Sequence, residues 1–288
     1  MPFELLPWVN RVARAQLVRR GARARALVAH GYPVHLLDVP GQGTAPPVAL
    51  LHGLGSSGLT FAQVIPALAR ASRRVIAVDL PGSGFSPAAA TPPGIEACVR
   101  IHAAVCELVG GGPFVAVGNS LGGALAAELA IRRPELLCGL VLSSPAGAQL
   151  APERFAELVQ AFELHAWRDG RNLMRRLYHR PPPLIPELMA SEMVRTMNAP
   201  NVRQLLGGDR PADHLAPDEL AALALPILVL WGRGERLLPY EGVSFFRQHL
   251  PAHAVVEEVP GWGHVPHLED PKGLAARLTR FLRELPSA

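Results

Sequence analysis

The chain has 288 residues, 49% of them hydrophobic and 18% charged, which suits one or two domains with a large buried core and excludes a disordered or collagen-like chain. The formal net charge is +4, yet residues 1–25 hold six Arg against one acid, Glu4, so the rest of the chain carries no basic excess. Without that excess there is nothing to neutralise phosphates, and nucleic acid is not expected as a partner.

In chain order, no apolar stretch of signal-peptide type opens the sequence, and no run is long enough to span a membrane. Phe3–Arg20 has helical spacing, with Leu5, Trp8, Val9 and Val12 along one stripe and Arg11, Arg14 and Arg19 elsewhere. Two readings stand for it. Residues 1–25 form a basic amphipathic helix that touches an anionic membrane surface, or they form an extra helix packed on their own domain. The extension is expected to occupy residues 1–30.

From His35 onward, strand and helix alternate. Apolar runs at Val34–Leu37, Val48–Leu51, Val75–Val78, Phe114–Val117 and Leu140–Ser143 read as strands. Helical spacing fills Thr60–Ala71, Ile95–Val109 and Ala124–Arg132. The runs are apolar throughout, which predicts an α/β fold with a mostly parallel, doubly wound sheet covered on both faces. Cys98, Cys106 and Cys138 are widely spaced with no CxxC, and read as reduced core residues of a cytoplasmic protein.

The alternation then stops between Pro145 and Pro226, a gap too long for one crossover helix. This stretch is rich in large apolar residues, among them Phe155, Leu158, Phe162, Trp167, Leu173 and Met189, and is broken by Pro181-Pro182-Pro183 and Gly207-Gly208. It reads as a helical cap, residues 147–221, inserted into a core of residues 31–146 and 222–288. Alternation resumes with strand Ile227–Trp231, helix Glu241–His249, strand Ala254–Val259 and helix Gly273–Leu285.

Gly53-Leu54-Gly55-Ser56-Ser57-Gly58 matches GxGxxG after a strand, with Asp79 closing the next one. That pattern raises an NAD-binding oxidoreductase as one reading. Against it, a strand candidate already precedes the unit, and His52 would crowd a pyrophosphate. His264 and His267 form a pair beside Pro266 on a loop, and no metal site is expected from it.

A second pattern carries more chemistry. Gly118-Asn119-Ser120-Leu121-Gly122 is GxSxG between a strand and a helix. A serine hydroxyl there stands clear of the sheet on a turn tight enough to demand the two glycines. The helix that follows aims its free N–H groups at any developing oxyanion. Such a nucleophile needs a base, and the base needs a carboxylate. Glu235 follows a later strand and His264 follows the last, so all three fall past strand C-terminal ends, at one edge of a parallel sheet.

These segments, with His52-Gly53-Leu54-Gly55, Asp79-Leu80-Pro81-Gly82-Ser83-Gly84 and Gly263-His264-Val265-Pro266-His267-Leu268-Glu269, resemble the α/β-hydrolase superfamily with a cap domain, over about residues 34–285. The resemblance implies Ser120 as nucleophile, His264 as base and Glu235 as acid. It implies an oxyanion hole from the backbone N–H groups of Leu54 and Leu121, with His52 and Asp79 structural. The family usually has Asp where this chain has Glu235. An alternative acid position after Leu140–Ser143 holds only Ser144, Pro145, Ala146 and Gly147, while Asp209, Asp213 and Asp218 fall in the cap. His52, Gly53, Asn119, Trp167 and Val265 are expected to line the substrate pocket.

The implied activity is hydrolysis of a small-molecule carboxylic ester, with an apolar acyl or aryl group, through an acyl-enzyme and without metal or organic cofactor. A serine argues against epoxide hydrolase and haloalkane dehalogenase relatives, which use Asp at that position. Gly-Asn-Ser also occurs in relatives that hydrolyse carbon–carbon bonds of ring-cleavage products, which makes that activity the alternative. Those usually carry Trp where this chain has Val265. A non-catalytic receptor that retains the triad is a further alternative.

Overall fold

The computed structural model describes residues 5–207 and 215–286. Their strands build one eight-stranded sheet: β1 (Arg23–Ala29), β2 (Tyr32–Pro40), β3 (Val48–Leu51), β4 (Arg74–Asp79), β5 (Phe114–Asn119), β6 (Leu137–Ser143), β7 (Ile227–Gly232) and β8 (Val255–Val259). The spatial order is β1-β2-β4-β3-β5-β6-β7-β8. β2 runs antiparallel to β1 and β4, and every other pairing is parallel. All residues of β3, β5 and β7 are buried, as strands covered on both faces must be.

Helices supply those covers. α1 (Leu5–Arg19), α2 (Ile65–Ala71) and α12 (Pro271–Glu284) pack on one face, where Leu17, Ile65, Leu68, Leu278 and Phe281 share a core with Leu50 and Val117. On the opposite face, α3 (Ile95–Val109), α4 (Leu121–Arg132) and α10 (Glu241–His249) bury Ile101, Leu125 and Phe246 against Leu51 and Leu142. Cys98 and Cys106 are buried in this second layer, their thiols pushed up to about 12 by burial.

The boundary expected at residue 30 falls inside the sheet. β1 pairs with β2 through a two-residue turn at His30 and Gly31, with Ala29 opposite Tyr32. Both turn residues have positive φ, 48° and 80°, which matches the twist of a tight hairpin. β1 is a sheet edge with exposed Arg23 and Val28, so its apolar signal is weak and the expected extension absorbed it.

α1 packs on its own molecule. Leu17 is buried in the core, and the N–H of Leu6 donates to Glu192 Oε2 at 3.0 Å. Trp8, Val9 and Val12 are exposed.

Between β6 and β7 lie α5 (Pro152–Gln160), α6 (Trp167–Leu177), α7 (Ile185–Met197), α8 (Pro200–Leu206) and α9 (Pro217–Ala221), before a short α11 (Pro266–Glu269) that precedes α12. α9 packs on α4 and α10 and so belongs with the core layer, which places the cap end earlier than residue 221. Leu164, Leu173, Met197 and Val202 form a small core of the cap's own.

Candidate active site

β5 ends at Asn119, and the chain turns at once into α4. Ser120 sits in that turn with φ 56° and ψ −122°, a strained conformation for a residue with a side chain. A Cβ on Gly118 would lie 2.1 Å from the Gly122 carbonyl oxygen, and one on Gly122 would lie 2.1 Å from the Leu51 oxygen. Glycine is required at both positions because backbone passes where side chains would stand. The turn is held by Ser120 N–H donating to the Ser143 carbonyl at 3.1 Å, and by Gly123, Ala124 and Ala146 N–H groups donating to the Ser120 carbonyl.

His264 and Glu235 pair with each other. Their Nδ1 and Oε2 atoms are 2.8 Å apart, with both side chains 3% exposed. The other oxygen, Oε1, accepts from Leu237 N–H at 2.8 Å and Leu238 N–H at 3.1 Å. Burial raises the Glu235 pKa, but the His264 charge and these hydrogen bonds outweigh it and hold the carboxyl below its ordinary range. The chain just after Glu235 turns back with two N–H donors that match the longer side chain of a Glu at this position. Asp209 and Asp213 lie outside the described residues, and Asp218 begins the core-packed α9.

Asn119 joins the nucleophile strand to the base. Its Nδ2 donates to the His264 carbonyl at 3.0 Å and to the Ser143 carbonyl at 3.0 Å. Ser120 Oγ itself makes no hydrogen bond among the described residues. Gly53 lies against the nucleophile, a Cβ there being 3.3 Å from Ser120 Cβ. Neither Leu54 nor Leu121 N–H donates to an acceptor among the described residues, which leaves both for an oxyanion.

His52 is neutral and structural in its geometry. Its Nε2 accepts from Leu80 N–H at 3.2 Å, which places the proton on Nδ1, 2.8 Å from the Gly53 carbonyl. Burial lowers its pKa, against the opposing pull of Asp79. The imidazole therefore anchors the Gly53-Leu54 turn to the chain after β4. Asp79 is also occupied, accepting from Gly58 N–H at 2.8 Å and Phe85 N–H at 3.0 Å and pairing with His35 at 2.9 Å. That consumes the carboxylate a dinucleotide ribose would need.

An apolar cavity runs from Ser120, Leu54 and Leu121 along α4 beneath α5, where Leu158 and Phe162 face it. None of the five side chains expected to line the pocket is on its wall. His52, Gly53 and Asn119 support the nucleophile instead. Val265 is buried with Met174, Tyr178 and Met189, tying the histidine loop to the cap. Trp167 is 44% exposed at the start of α6, with its indole N–H on the Glu187 carbonyl at 3.3 Å, and it is not on the cavity wall. His267 faces inward from α11, its ring 4.8 Å from that of Phe61, and burial with the nearby His264 pushes its pKa down to about 3. No group of three or more metal-type ligands is gathered among the described residues.

Three contributors were not assigned roles by sequence. Glu269 accepts from Gly263 N–H and from His179 N–H, each at 2.6 Å. Arg236, beside the acid, donates to the Tyr178 and His179 carbonyls, and His264 N–H donates to the Leu177 carbonyl at 2.9 Å. The end of α6 is thereby fastened to the loops that carry Glu235 and His264. Glu128, on the cavity wall, is the third.

Comparisons agree with this geometry. Residues 46–271 match the family of the alpha/beta hydrolase fold. The chain is 29% identical over 266 residues to a pimeloyl-[acyl-carrier protein] methyl ester esterase of Aeromonas hydrophila, covering 83% of this chain and 96% of that one. It is 30% identical over 277 residues to a 2-hydroxymuconate semialdehyde hydrolase of Pseudomonas putida, covering 90% and 94%. The crystal structure of a membrane phospholipase A superimposes with a TM-score of 0.81 at 24% identity, over 97% of this chain and 93% of that one. With a family match across most of its length and the strained serine turn within that match, the chain belongs to the α/β-hydrolase family and is a hydrolase.

Proposed function

We propose that the protein hydrolyses carboxylic esters through Ser120, His264 and Glu235. The observation that carries this reading is the buried 2.8 Å pair of His264 and Glu235, braced by Asn119 onto the strand that leads into Ser120. His264 Nε2 takes the proton of Ser120 as Oγ bonds to the ester carbonyl carbon. The carbonyl electrons move to oxygen, where the Leu54 and Leu121 N–H groups receive the negative charge. Collapse of this adduct breaks the bond to the alkoxy group, which leaves as the alcohol with the proton from His264. Water then gives its proton to His264, attacks the acyl-enzyme and releases the acid, restoring Ser120. Glu235 holds the imidazole in the Nδ1–H tautomer and stabilises the imidazolium.

The esterase likeness and the apolar cavity favour an ester with an apolar acyl chain. Carbon–carbon hydrolysis of a vinylogous 1,5-diketone is the second reading, favoured by the 30% identity to the semialdehyde hydrolase. One assay separates them: p-nitrophenyl esters of graded acyl length beside one such diketone, with wild type and Ser120→Ala. Ester turnover that falls by about three orders of magnitude or more in Ser120→Ala supports the proposal. Diketone turnover without ester turnover replaces it with the second reading.

A further inference from the structure

Glu128 stands where an apolar cavity has no evident use for a charge. It lies two turns along α4 from Ser120, with Ala124 between them, and all three line the cavity. The residue is 7% exposed and carries the only ionisable side chain on that wall among the described residues. Its Oε2 accepts from Arg132 Nε at 2.6 Å, while Oε1 has no hydrogen bond among the described residues. Arg132 is 53% exposed and is not on the wall, so Glu128 is the member of the pair that lines the cavity.

The cavity is the acyl side of the site. The leaving alcohol must collect its proton at His264, and His264 is not on the cavity wall; the acyl chain therefore extends the other way, along α4. Eight residues of helix advance about 12 Å. Less the serine bond at one end and a hydrogen bond at the other, this fits an extended acyl chain of about six to eight carbons.

Building on the ester-hydrolase reading above, we propose that Glu128 is a specificity-determining residue, which selects acyl chains bearing a hydroxyl at the far end. A carboxylate oxygen in an apolar wall needs a donor. Water serves in the free protein, and an alkyl end displaces that water without replacing its bond. A terminal hydroxyl replaces it, and a terminal carboxylate meets a like charge. A site built to bond a hydroxyl rejects the analogue lacking it far more strongly than an apolar pocket rejects an extra methylene.

The test compares kcat/KM for p-nitrophenyl esters of octanoate, 8-hydroxyoctanoate, 8-aminooctanoate and the monoester of suberate, in wild type, Glu128→Leu and Glu128→Gln. Wild type prefers the hydroxy chain to the plain one and turns over the carboxylate-ended chain worst. Glu128→Leu shifts the hydroxy-to-plain ratio toward the plain chain by about tenfold or more. Glu128→Gln keeps an acceptor and the hydroxy preference, and relieves the discrimination against the carboxylate end. The amino chain reports whether charge alone suffices: a preference for it above the hydroxy chain overturns the hydroxyl assignment. Ratios unchanged in Glu128→Leu overturn the proposal and leave the esterase reading standing. Should Glu128→Leu fail to fold, the carboxylate arm of Glu128→Gln decides. Absence of all ester turnover, together with no labelling of Ser120 by a fluorophosphonate, sinks the esterase reading instead. The cavity end is then judged by thermal shift of Ser120→Ala with methyl 8-hydroxyoctanoate against methyl octanoate, where an equal shift overturns it.

Discussion

Asn119 Nδ2 donates to the backbone carbonyl of His264 at 3.0 Å, so the residue before Ser120 fixes the loop that carries His264. The same nitrogen reaches Ser143 at 3.0 Å, which ties β5, β6 and the histidine loop at one point. Asn119→Leu removes both bonds: the buried His264 carbonyl loses this donor, while the Ser143 carbonyl keeps the Ser120 N–H. The substitution is expected to lower kcat by about tenfold or more with little change in KM, and to cost about 1–3 kcal/mol of stability. Steady-state kinetics paired with denaturant unfolding check this, and a wild-type kcat would remove the positioning role.

Glu235 has a reach that matches its loop. Glu235→Asp withdraws the carboxylate by about 1.5 Å, so it cannot hold His264 and the Leu237 and Leu238 N–H groups together. A drop in kcat of about tenfold to a hundredfold is expected. Glu235→Gln, which favours the wrong imidazole tautomer, should cost about a thousandfold or more. If Asp at 235 is as fast as Glu, the loop adapts and the length argument fails.

Gly122 faces backbone on its far side. A Cβ there would sit 2.1 Å from the Leu51 oxygen and 2.6 Å from the His52 oxygen. Gly122→Ala must therefore push α4 away from β3, and a loss of about 3 kcal/mol or more is expected. Thermal unfolding reads it directly; a loss within 0.5 kcal/mol, about the size of an innocuous surface change, would contradict the packing.

Acid should weaken the fold through its buried histidines. Burial pushes His102 down to about 4, and burial with the His264 charge pushes His267 down to about 3, from an ordinary 6.5. Between those values the unfolded chain binds more protons than the folded one, so stability falls as pH drops below 6.5. Glu235 acts in the same sense: its folded pKa lies below its ordinary value, and its contribution is present above that value and lost as pH falls through the carboxylate range. His267→Phe, which can keep the stack on Phe61, should flatten the loss between about pH 6.5 and 4. Urea midpoints across that range provide the measurement, and a slope equal to wild type would discount His267.

Glu269 bridges cap and core through His179 and Gly263. Glu269→Ala leaves both N–H groups buried without that acceptor. Faster hydrogen exchange at residues 177–179 and 263–264 is expected, with kcat lowered about tenfold. Exchange unchanged at both segments would show that the carboxylate does not fasten them.

Much of this was readable from short stretches of chain. A short apolar run such as Val48–Leu51, set in an alternation with helices, reads as a strand buried on both faces, and it is one in the structure, with matching bounds. The GxSxG turn was legible because its requirement is steric and local: backbone meets backbone at Gly118 and Gly122. That Glu235 and His264 meet was legible because the ends of β7 and β8, neighbours in a parallel sheet, share one edge.

What escaped depends on partners far apart in sequence. β1 is a half-exposed edge strand recognisable only beside β2. Asn119 and Glu269 take their roles from residues 145 and 90 positions away. In the cap, an apolar residue is equally at home in a private core, as Leu173 is, on a cavity wall, as Phe162 is, or in solvent, as Trp167 partly is. Hydrophobicity is a property of one side chain, whereas the surface it covers belongs to the packed whole; for that reason the chemistry was written along the chain, and the shape of the pocket that receives substrate emerged only on folding.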